Sequence, residues 1–216
     1  MRPKAVPNPH ALPSEDALGA KPAALEGEPR ARERILQAAT RLFCQYGINA
    51  VGVDAVVAEA ATAKATLYKA FGSKERLVEI VLEKEGAAWR DWFLGQLLDG
   101  EATPLTRLRR IFPVLREWFG DAQFFGCPFI NAVAEHDKRD DRLRRIALAH
   151  KKVVLETLAG LAAEAGARDP NGVAHQLGVL IDGAIVAAMI TKDPNVALMA
   201  GRTADLLLSG MAAEAA

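Results

Sequence analysis

The sequence predicts an all-α protein with a small helix-turn-helix head at the N-terminus and a larger helical body. Apolar residues recur at helical spacing through most of the chain, and no alternating pattern typical of β-strands stands out. Alanine is abundant and aromatic residues make up only 6% of the 216 residues, which favours helices. Half of the residues are apolar, so the chain can bury a sizeable core in one or two domains.

The N-terminal region changes character at Arg30. Residues 1–29 contain six prolines and no extended helical stripe, so we expect a flexible arm there. A first helix begins at Arg30, and Gly47 is well placed to end it. The pattern then predicts a short second helix over 53–60, a tight turn, and a third helix over 64–70.

The apolar pattern predicts a series of helices in the rest of the chain. Ser73 has a side chain suited to capping a fourth helix that begins at Lys74. Pro113 falls inside the helical pattern of 104–119 and should kink that helix, because proline removes one hydrogen bond. Clusters of turn-forming residues predict breaks at 100–104, 120–128, 136–140, 166–172 and 193–194.

Residues 51–74 have the pattern of a helix-turn-helix. Leu67 and Phe71, one helical turn apart, can anchor the inner face of its second helix. The outer face is then free to meet DNA phosphates and base edges in the major groove. A short amphipathic helix with two lysines can equally be an ordinary surface helix, so this pattern alone leaves both interpretations open. The candidate DNA contacts are Lys64, Thr66, Tyr68, Lys69 and Lys74.

Formal charge is unevenly distributed along a chain whose total charge is zero. Residues 30–74 hold seven Lys or Arg against three acidic residues, whereas residues 75–216 hold 17 against 20. A balanced total argues against a protein that coats nucleic acid generally. The local positive excess favours a contact with DNA phosphates at the predicted head.

The head also contains a specific motif, the run TLYKAFGSKE at residues 66–75. Lys64 and a set of mostly small or apolar residues precede it at fixed positions: Ile35, Leu36, Ala38, Ala39, Leu42, Phe43, Tyr46, Gly47, Val53, Val56 and Ala60. Together these residues resemble the DNA-binding domain of the tetracycline-repressor (TetR) family of transcriptional regulators over residues 30–82. The segment GCPFIN at 126–131 is similar to one branch of that family.

The resemblance implies an all-helical homodimer that binds a double-stranded DNA operator. It divides the chain into the arm at 1–29, a helix-turn-helix DNA-binding domain at 30–75, and a ligand-binding and dimerisation domain at 76–216. In this family a fourth helix connects head and body, and the last two long helices form a four-helix dimer interface. An unknown small-molecule effector would shift the connecting helix, spread the two heads and release the operator. An activator with the same fold is the nearest alternative.

The turn of the helix-turn-helix departs from the family pattern. The family usually has Gly at the position of Ala61 and Ser at that of Ala63, and a hydroxyl residue where Gly52 stands. A left-handed conformation at Ala61 would cost about 1–2 kcal/mol. Thr62 is then the expected cap of the third helix. These departures support a second alternative, a helical small-molecule-binding protein whose DNA binding is weak or lost.

A ligand pocket is expected in the body, where nine of the eleven Trp and Phe residues lie between 89 and 129. Binding pockets are concave and mostly apolar, with a few polar groups. Ordinary core packing would explain many of these rings equally well. The candidate lining residues are Trp89, Trp92, Phe93, Phe112, Leu115, Phe119, Phe129, Asn131 and His150.

The second-to-last helix carries small residues at Gly178 and Gly183, which allow close helix approach in a dimer seam or within one chain. Asp182, between them, needs a partner if it is buried, and otherwise lies at the dimer rim. We expect Cys44 and Cys127 to be reduced thiols in the core. Redox sensing through Cys127 is a third alternative for the function of the protein.

Other classes of function find little support in the residues. We expect no enzyme and no cofactor, because no catalytic triad, P-loop or dinucleotide motif is recognisable. We expect no metal, since Glu135, His136 and Asp137 lack the spacing of metal ligands. No run of 18 apolar residues and no secretory signal is recognisable, so we expect a cytoplasmic protein without a membrane partner.

Overall fold

The computed structural model of the chain describes residues 30–137 and 139–214, with side chains up to residue 210. The arm expected at 1–29 lies outside the described residues. Within them the chain forms ten α-helices and no β-strand, which confirms the all-α class. The helices are α1 (Ala31–Tyr46), α2 (Val53–Glu59), α3 (Lys64–Phe71), α4 (Lys74–Leu98), α5 (Pro104–Arg109), α6 (Ile111–Phe119), α7 (Pro128–Glu135), α8 (Arg142–Glu164), α9 (Pro170–Thr191) and α10 (Val196–Glu214).

Helices α1 to α3 form the head around a small apolar core. α1 packs against α2, α3 and the start of α4. Its buried stripe includes Ile35, Ala39 and Phe43, at the helical spacing seen in the sequence. α3 contributes Leu67 and Phe71 to the same core. The head is therefore held together by side chains that the period of 3.6 residues places on facing sides.

Two helix boundaries agree with the sequence prediction. Gly47 follows α1 with a φ of 86°, and its N–H donates to the carbonyl oxygen of Phe43 at 3.0 Å. Ser73 caps α4, and its hydroxyl oxygen accepts the N–H of Arg76 at 3.1 Å. From this cap α4 runs without a break for 25 residues, about 37 Å, from the head into the body.

The sequence predicts a kink at Pro113, and the structure interrupts the helix one turn before it, at Arg110, whose backbone stays in the right-handed helical region (φ −73°, ψ −17°). α5 ends at Arg109 and α6 begins at Ile111, so two helices replace the single helix expected over 104–119. Pro113 has no N–H to donate to the carbonyl oxygen of Arg109, and its ring crowds the preceding turn. The two helices pack on different partners, since α5 lies mainly against α8 and α6 lies mainly against α10.

The body is organised around α8 and α9, which pack along each other. α10 packs on α9, and α4 packs on α8. Trp89, Trp92 and Trp118 form a cluster with ring centroids 5.5–6.5 Å apart. Phe93 stacks on Trp89 at 4.6 Å. These rings fill the space between α4 and α6, which fixes where α4 enters the body.

α9 is the one helix of the described ranges that is long and apolar enough to cross a membrane by length and composition. One of its sides is buried within the body through Leu177, Ile181 and Ile185. The opposite side carries Val179 and Ile190, each 72% exposed in the single chain. The apolar composition of α9 thus has two sources, a buried core face and an exposed apolar face.

Candidate nucleic-acid interface and ligand pocket

α3 presents the side chains expected to meet DNA. Leu67 is fully buried and Phe71 is 5% exposed, as expected for the anchors of this helix. The opposite face exposes Lys64, Tyr68 and Lys69, and the side chain of Tyr68 is 44% exposed. The helix is therefore locked on one side and open on the other, the arrangement needed to enter a major groove. Thr66, which is half-buried, lies at the edge of the open face.

The two lysines of α3 differ in their surroundings. Nζ of Lys64 lies 3.0 Å from Oδ1 of Asp54, and the hydrogen bond to Asp54 raises the pKa of Lys64. Lys69 makes no ion pair with any residue that the structure describes. A phosphate would have to compete with Asp54 for Lys64, whereas Lys69 is free to bind one. Because exposed ion pairs exchange at little cost, both lysines can still act on DNA.

Lys74 is placed differently from the other candidate contacts. It is half-buried, and its Nζ donates to the carbonyl oxygen of Ile48 at 2.7 Å. The ammonium also lies 6.0 Å from the ring centroid of Phe43. Lys74 therefore ties the loop between α1 and α2 to the start of α4. This internal bond uses one of the three N–H donors of the ammonium and leaves two for the predicted phosphate contact.

The turn between α2 and α3 has the left-handed conformation expected at Ala61, whose φ is 47°. The N–H of Ala61 donates to the Ala58 carbonyl, and the N–H of Thr62 donates to the Val57 carbonyl. These two bonds form a Schellman motif, in which glycine usually takes the left-handed position. The turn keeps the geometry of a helix-turn-helix although the glycine is absent.

The expected cap of α3 is wrong. Ala63, not Thr62, occupies the N-cap position, and it offers no side-chain oxygen. The hydroxyl of Thr62 is buried and makes no hydrogen bond with the described residues. Thr62 does not cap α3 because it is the second residue after the C-cap of α2. In this position its backbone N–H, and not its hydroxyl, has a hydrogen-bond partner.

A cavity of about 220 Å³ lies in the body between α4, α8, α9 and the start of α7. Its walls are mostly apolar, with a few charged groups, as ligand pockets usually are. The lining residues are Glu85, Trp89, Trp118, Cys127, Pro128, Phe129, His150, Lys151, Val154, Leu155, His175, Gly178, Val179, Ile181, Asp182 and Ile185.

The structure places three of the nine predicted lining residues in the wall of this cavity. Trp89, Phe129 and His150 line the cavity. The sequence does not predict the wall from α8 and α9, because the small residues of α9 indicate a helix seam equally well. Core packing or a separate small cavity accounts for the other six candidates, which are Trp92, Phe93, Phe112, Leu115, Phe119 and Asn131.

His150 is neutral in the cavity wall. Burial and, to a smaller extent, the positive charge of Arg90 lower its pKa to about 4. Nη1 of Arg90 lies 2.9 Å from Nδ1 of His150. A guanidinium can only donate, so Nδ1 must be the acceptor. The ring of Phe129 stacks on the imidazole at 4.2 Å between centroids, so the histidine forms part of an aromatic wall.

Glu85, Asp182 and Lys151 give the cavity its charged groups. Glu85 is 3% exposed and brings a carboxylate to the wall formed by α4. Asp182 on α9 lies 2.5 Å from Nζ of Lys151 on α8. Asp182 therefore has the partner that a partly buried carboxylate requires. This ion pair joins the two helices at the half-exposed side of the cavity, beside Gly178.

Neither cysteine has the surroundings of a reactive thiol. Burial raises the pKa of Cys44 to about 12 and also raises the pKa of Cys127. Oxidation proceeds through the thiolate, which a raised pKa makes scarce at neutral pH. The geometry therefore disfavours redox sensing through Cys127. Within the described ranges, no group of three or more His, Cys, Asp or Glu is arranged to hold a metal ion.

Comparison with known proteins covers both parts of the chain. Residues 35–81 match the family model for bacterial regulatory proteins of the tetR family, and residues 104–204 match the tetracyclin repressor-like C-terminal domain. The crystal structure of a TetR-family transcriptional regulator from Streptomyces coelicolor is 30% identical, with a TM-score of 0.77. That similarity covers 84% of this chain and 96% of the other. The chain belongs to the TetR family.

Other TetR-family relatives agree with this assignment. The structure of a putative TetR transcriptional regulator from Streptomyces avermitilis is 28% identical over 85% of this chain and 98% of its own, with a TM-score of 0.74. A helix-turn-helix regulator from Lactococcus lactis is 25% identical over 76% of this chain and 86% of its own. The repressor KstR2 from Mycolicibacterium smegmatis is 34% identical over 38% of this chain and 39% of its own. TetR-family proteins are transcriptional regulators, usually dimeric, that bind operators and small-molecule effectors.

Proposed function

We propose that this protein is a ligand-responsive transcriptional repressor that binds a palindromic operator as a homodimer. The observation that carries the proposal is the geometry of α3, whose buried Leu67 and Phe71 hold Lys64, Tyr68 and Lys69 outward. The side chains of α3 would read base edges, and the lysines would bind phosphates. The name of the relative KstR2, a repressor, supports repression over activation.

Exposed apolar side chains on α9 and α10 support the homodimer. Val179 and Ile190 on α9 project from the single chain, as do Met199 and Leu206 on α10. Gly183, between the two α9 residues, has no neighbour within 4 Å of where a Cβ would stand, which leaves room for a close approach. A second copy that packed α9 and α10 against the same helices would bury these residues in a four-helix seam.

The cavity between α4, α8 and α9 is the proposed effector site. Its aromatic and aliphatic walls favour a largely apolar molecule, and Glu85, the neutral His150, Lys151 and Asp182 place a few polar atoms in the wall. α4 forms one wall and also begins in the head. An effector that displaced α4 would alter the spacing of the two heads and release the operator. DNA binding would place this activity in the cytoplasm.

The dimer fixes the geometry of the operator. Two α3 helices related by a two-fold axis would enter the major groove on one face of the duplex. Their half-sites should lie one helical turn apart, or a multiple of it, at about 34–36 Å per turn. Palindromic half-sites follow from the symmetry of the dimer and do not depend on which bases are read.

Selection of bound DNA from a random duplex pool tests the proposal directly. We expect an enriched palindrome whose half-sites have the spacing above, and we expect Lys69→Ala to weaken its binding. Failure to enrich any sequence with the full-length protein would overturn DNA recognition. Enrichment of a single, unpaired half-site would instead overturn the dimeric binding mode. A footprint that lies upstream of a promoter, without overlapping it, would indicate activation and not repression.

A further inference from the structure

The C-terminal end of α7 is hydrogen-bonded to the head. The carboxylate of Glu135 accepts the backbone N–H of Asn49 at 3.0 Å, and the backbone carbonyl of Glu135 accepts the Asn49 side-chain amide at 2.9 Å. A Cβ added to Gly47 would stand only 2.7 Å from the same carboxylate. Glu135 therefore fits closely against the loop between α1 and α2. We call this pair of contacts the Glu135–Asn49 clasp.

The N-terminal end of α7 lies in the wall of the cavity. Cys127, Pro128 and Phe129 line the cavity at the start of this helix. Phe129 stacks on His150, and its ring tip lies 2.5 Å from where a Cβ on Gly86 would stand. Phe129 is thus in tight contact with both α8 and α4. Any molecule that enters the cavity shares a wall with this ring.

We propose that α7 relays occupancy of the cavity to the head, and that Glu135 is the positioning residue that sets the head for DNA recognition. The helix has eight residues and spans about 12 Å, so a push at Phe129 moves Glu135 as part of one rigid element. This inference rests on the proposed function. It adds to the movement of α4 a second route between the cavity and the head, one that acts on the α1–α2 loop.

The clasp suits a relay because it joins segments that are far apart in the chain. Asn49 and Glu135 are 86 positions apart, and both are on the surface side of the junction. Lys74 holds the other side of the loop through the Ile48 carbonyl. The loop is therefore fixed by one bond from α4 and by the clasp from α7. Displacement of either helix changes the angle at which the head meets the body.

Substitutions of Glu135 test whether the clasp positions the head. Glu135→Ala removes the acceptor for the Asn49 N–H, whereas Glu135→Gln keeps one side-chain oxygen that can accept it. We expect Glu135→Ala to weaken operator binding by roughly fivefold or more, a typical size for coupling between sites. Glu135→Gln should stay within about twofold of the unmodified protein, since rescue by the amide follows from geometry. Unchanged or tighter operator binding by Glu135→Ala would overturn the positioning role.

A methyl group added at Gly86 tests the relay without a known effector. Gly86→Ala presses on Phe129 inside the body, where no DNA contact is possible. We expect it to speed hydrogen exchange of the Asn49 amide and to weaken operator binding roughly fivefold. Gly95→Ala is the matched control on the same helix, because its added methyl would meet nothing within 4 Å. If Gly86→Ala does not fold, Phe129→Leu perturbs the same end of α7 and carries the same expectation.

The combined variant distinguishes a relay from two separate defects. If α7 carries the effect, Gly86→Ala adds nothing to the loss already caused by Glu135→Ala, because the clasp is absent. Additive losses, or an Asn49 exchange rate unaffected by both Gly86→Ala and Phe129→Leu, would overturn the relay. Failure of the unmodified protein to bind any operator would refute the proposed function instead. The exchange measurement would still decide whether the cavity and the head are coupled.

Discussion

Ala61 holds the turn of the helix-turn-helix in a left-handed conformation, with a φ of 47°. A side chain in this region costs about 1–2 kcal/mol, which glycine avoids. Part of that gain is lost because glycine is more flexible in the unfolded chain. Ala61 is exposed, so its methyl group contributes little packing. We therefore expect Ala61→Gly to raise the free energy of unfolding by about 0.5–1 kcal/mol, measured by urea denaturation.

Ala58→Gly is the matched control for this prediction. Ala58 is also exposed, but it lies inside α2, where glycine is about 1 kcal/mol less favourable than alanine. The two substitutions should therefore have opposite signs, although they are three positions apart. If both substitutions destabilised the protein equally, the ease with which glycine adopts a left-handed conformation would bring no gain at position 61. The alanine that replaces the family's usual glycine would then cause no backbone strain.

Substitutions of Lys69 and Lys74 should differ in their effect on the salt dependence of operator binding. Lys69 is exposed and makes no ion pair within the described ranges, so Lys69→Ala should weaken operator binding and reduce the log–log salt slope by about one. Lys74 donates to the carbonyl oxygen of Ile48. Lys74→Ala should also weaken binding, through a misplaced loop, and leave the slope nearly unchanged. Affinities measured between about 50 and 200 mM salt decide this, and a reduced slope for Lys74→Ala would support the direct phosphate contact predicted from the sequence.

At the scale of elements, α3 lacks a side-chain cap. Ala63 occupies the N-cap with an extended backbone, φ −88° and ψ 148°, which serine adopts readily. A serine hydroxyl there could accept an N–H from the first turn, so we expect Ala63→Ser to stabilise the protein by about 1 kcal/mol. Gly52→Ser, at the uncapped start of α2, should add only a few tenths of a kcal/mol, since glycine is itself tolerated as a cap. Thermal or urea unfolding of the pair checks the ranking, and an equal gain at both positions would contradict it.

Most helix boundaries could be predicted from local chemistry. Gly47 and Ser73 act through their own backbone and side chain, so the neighbouring residues suffice to place them. The same holds for the break before Pro170, where Gly166 takes a left-handed φ of 87° in a second Schellman motif. Pro113 was harder to interpret, because the size of its effect depends on whether α5 and α6 find separate partners. Local sequence does not specify those partners.

The site could be predicted only where one segment forms it. The outer face of α3 follows from the position of Leu67 and Phe71 alone. The cavity needs α4, α7, α8 and α9 together, and its α9 wall depends on how Gly178 lets Leu155 approach. The contact between Asn49 and Glu135 joins residues with no shared pattern. Such contacts arise from the packing of whole helices, which apolar periodicity constrains but does not determine.

In the proposed dimer, the parts of the molecule are coupled through a second copy. A single head offers one short helix to DNA, so operator affinity would depend on two heads held at a fixed spacing. α9 and α10 supply the surface that would hold them. The exposed apolar residues Ile190, Met199 and Leu206 are not in the cavity wall, whereas Val179 lines the cavity and is also exposed. The proposed seam therefore meets the proposed effector site at Val179.

Charge placed in the seam tests this architecture. Val179 and Leu206 are 72% and 77% exposed in the single chain and would be buried in the dimer. Each apolar side chain contributes about 1.5–3 kcal/mol when fully buried, and two-fold symmetry would bring introduced charges of one sign close together. Val179→Arg with Leu206→Arg should therefore weaken the dimer at least about a hundredfold, giving monomers in sedimentation velocity and a large loss of operator affinity.

The control for this variant is Leu98→Arg, which places the same charge on an exposed apolar residue at the end of α4, away from α9 and α10. It should leave both the sedimentation coefficient and operator affinity unchanged. If the α9–α10 variant remained dimeric, another face would have to hold the subunits together, and the spacing of the heads would need a different explanation. If it became monomeric and still bound the operator at full affinity, the two heads would act independently. The first result would overturn the α9–α10 seam, and the second would overturn an effector that acts by changing the distance between paired heads.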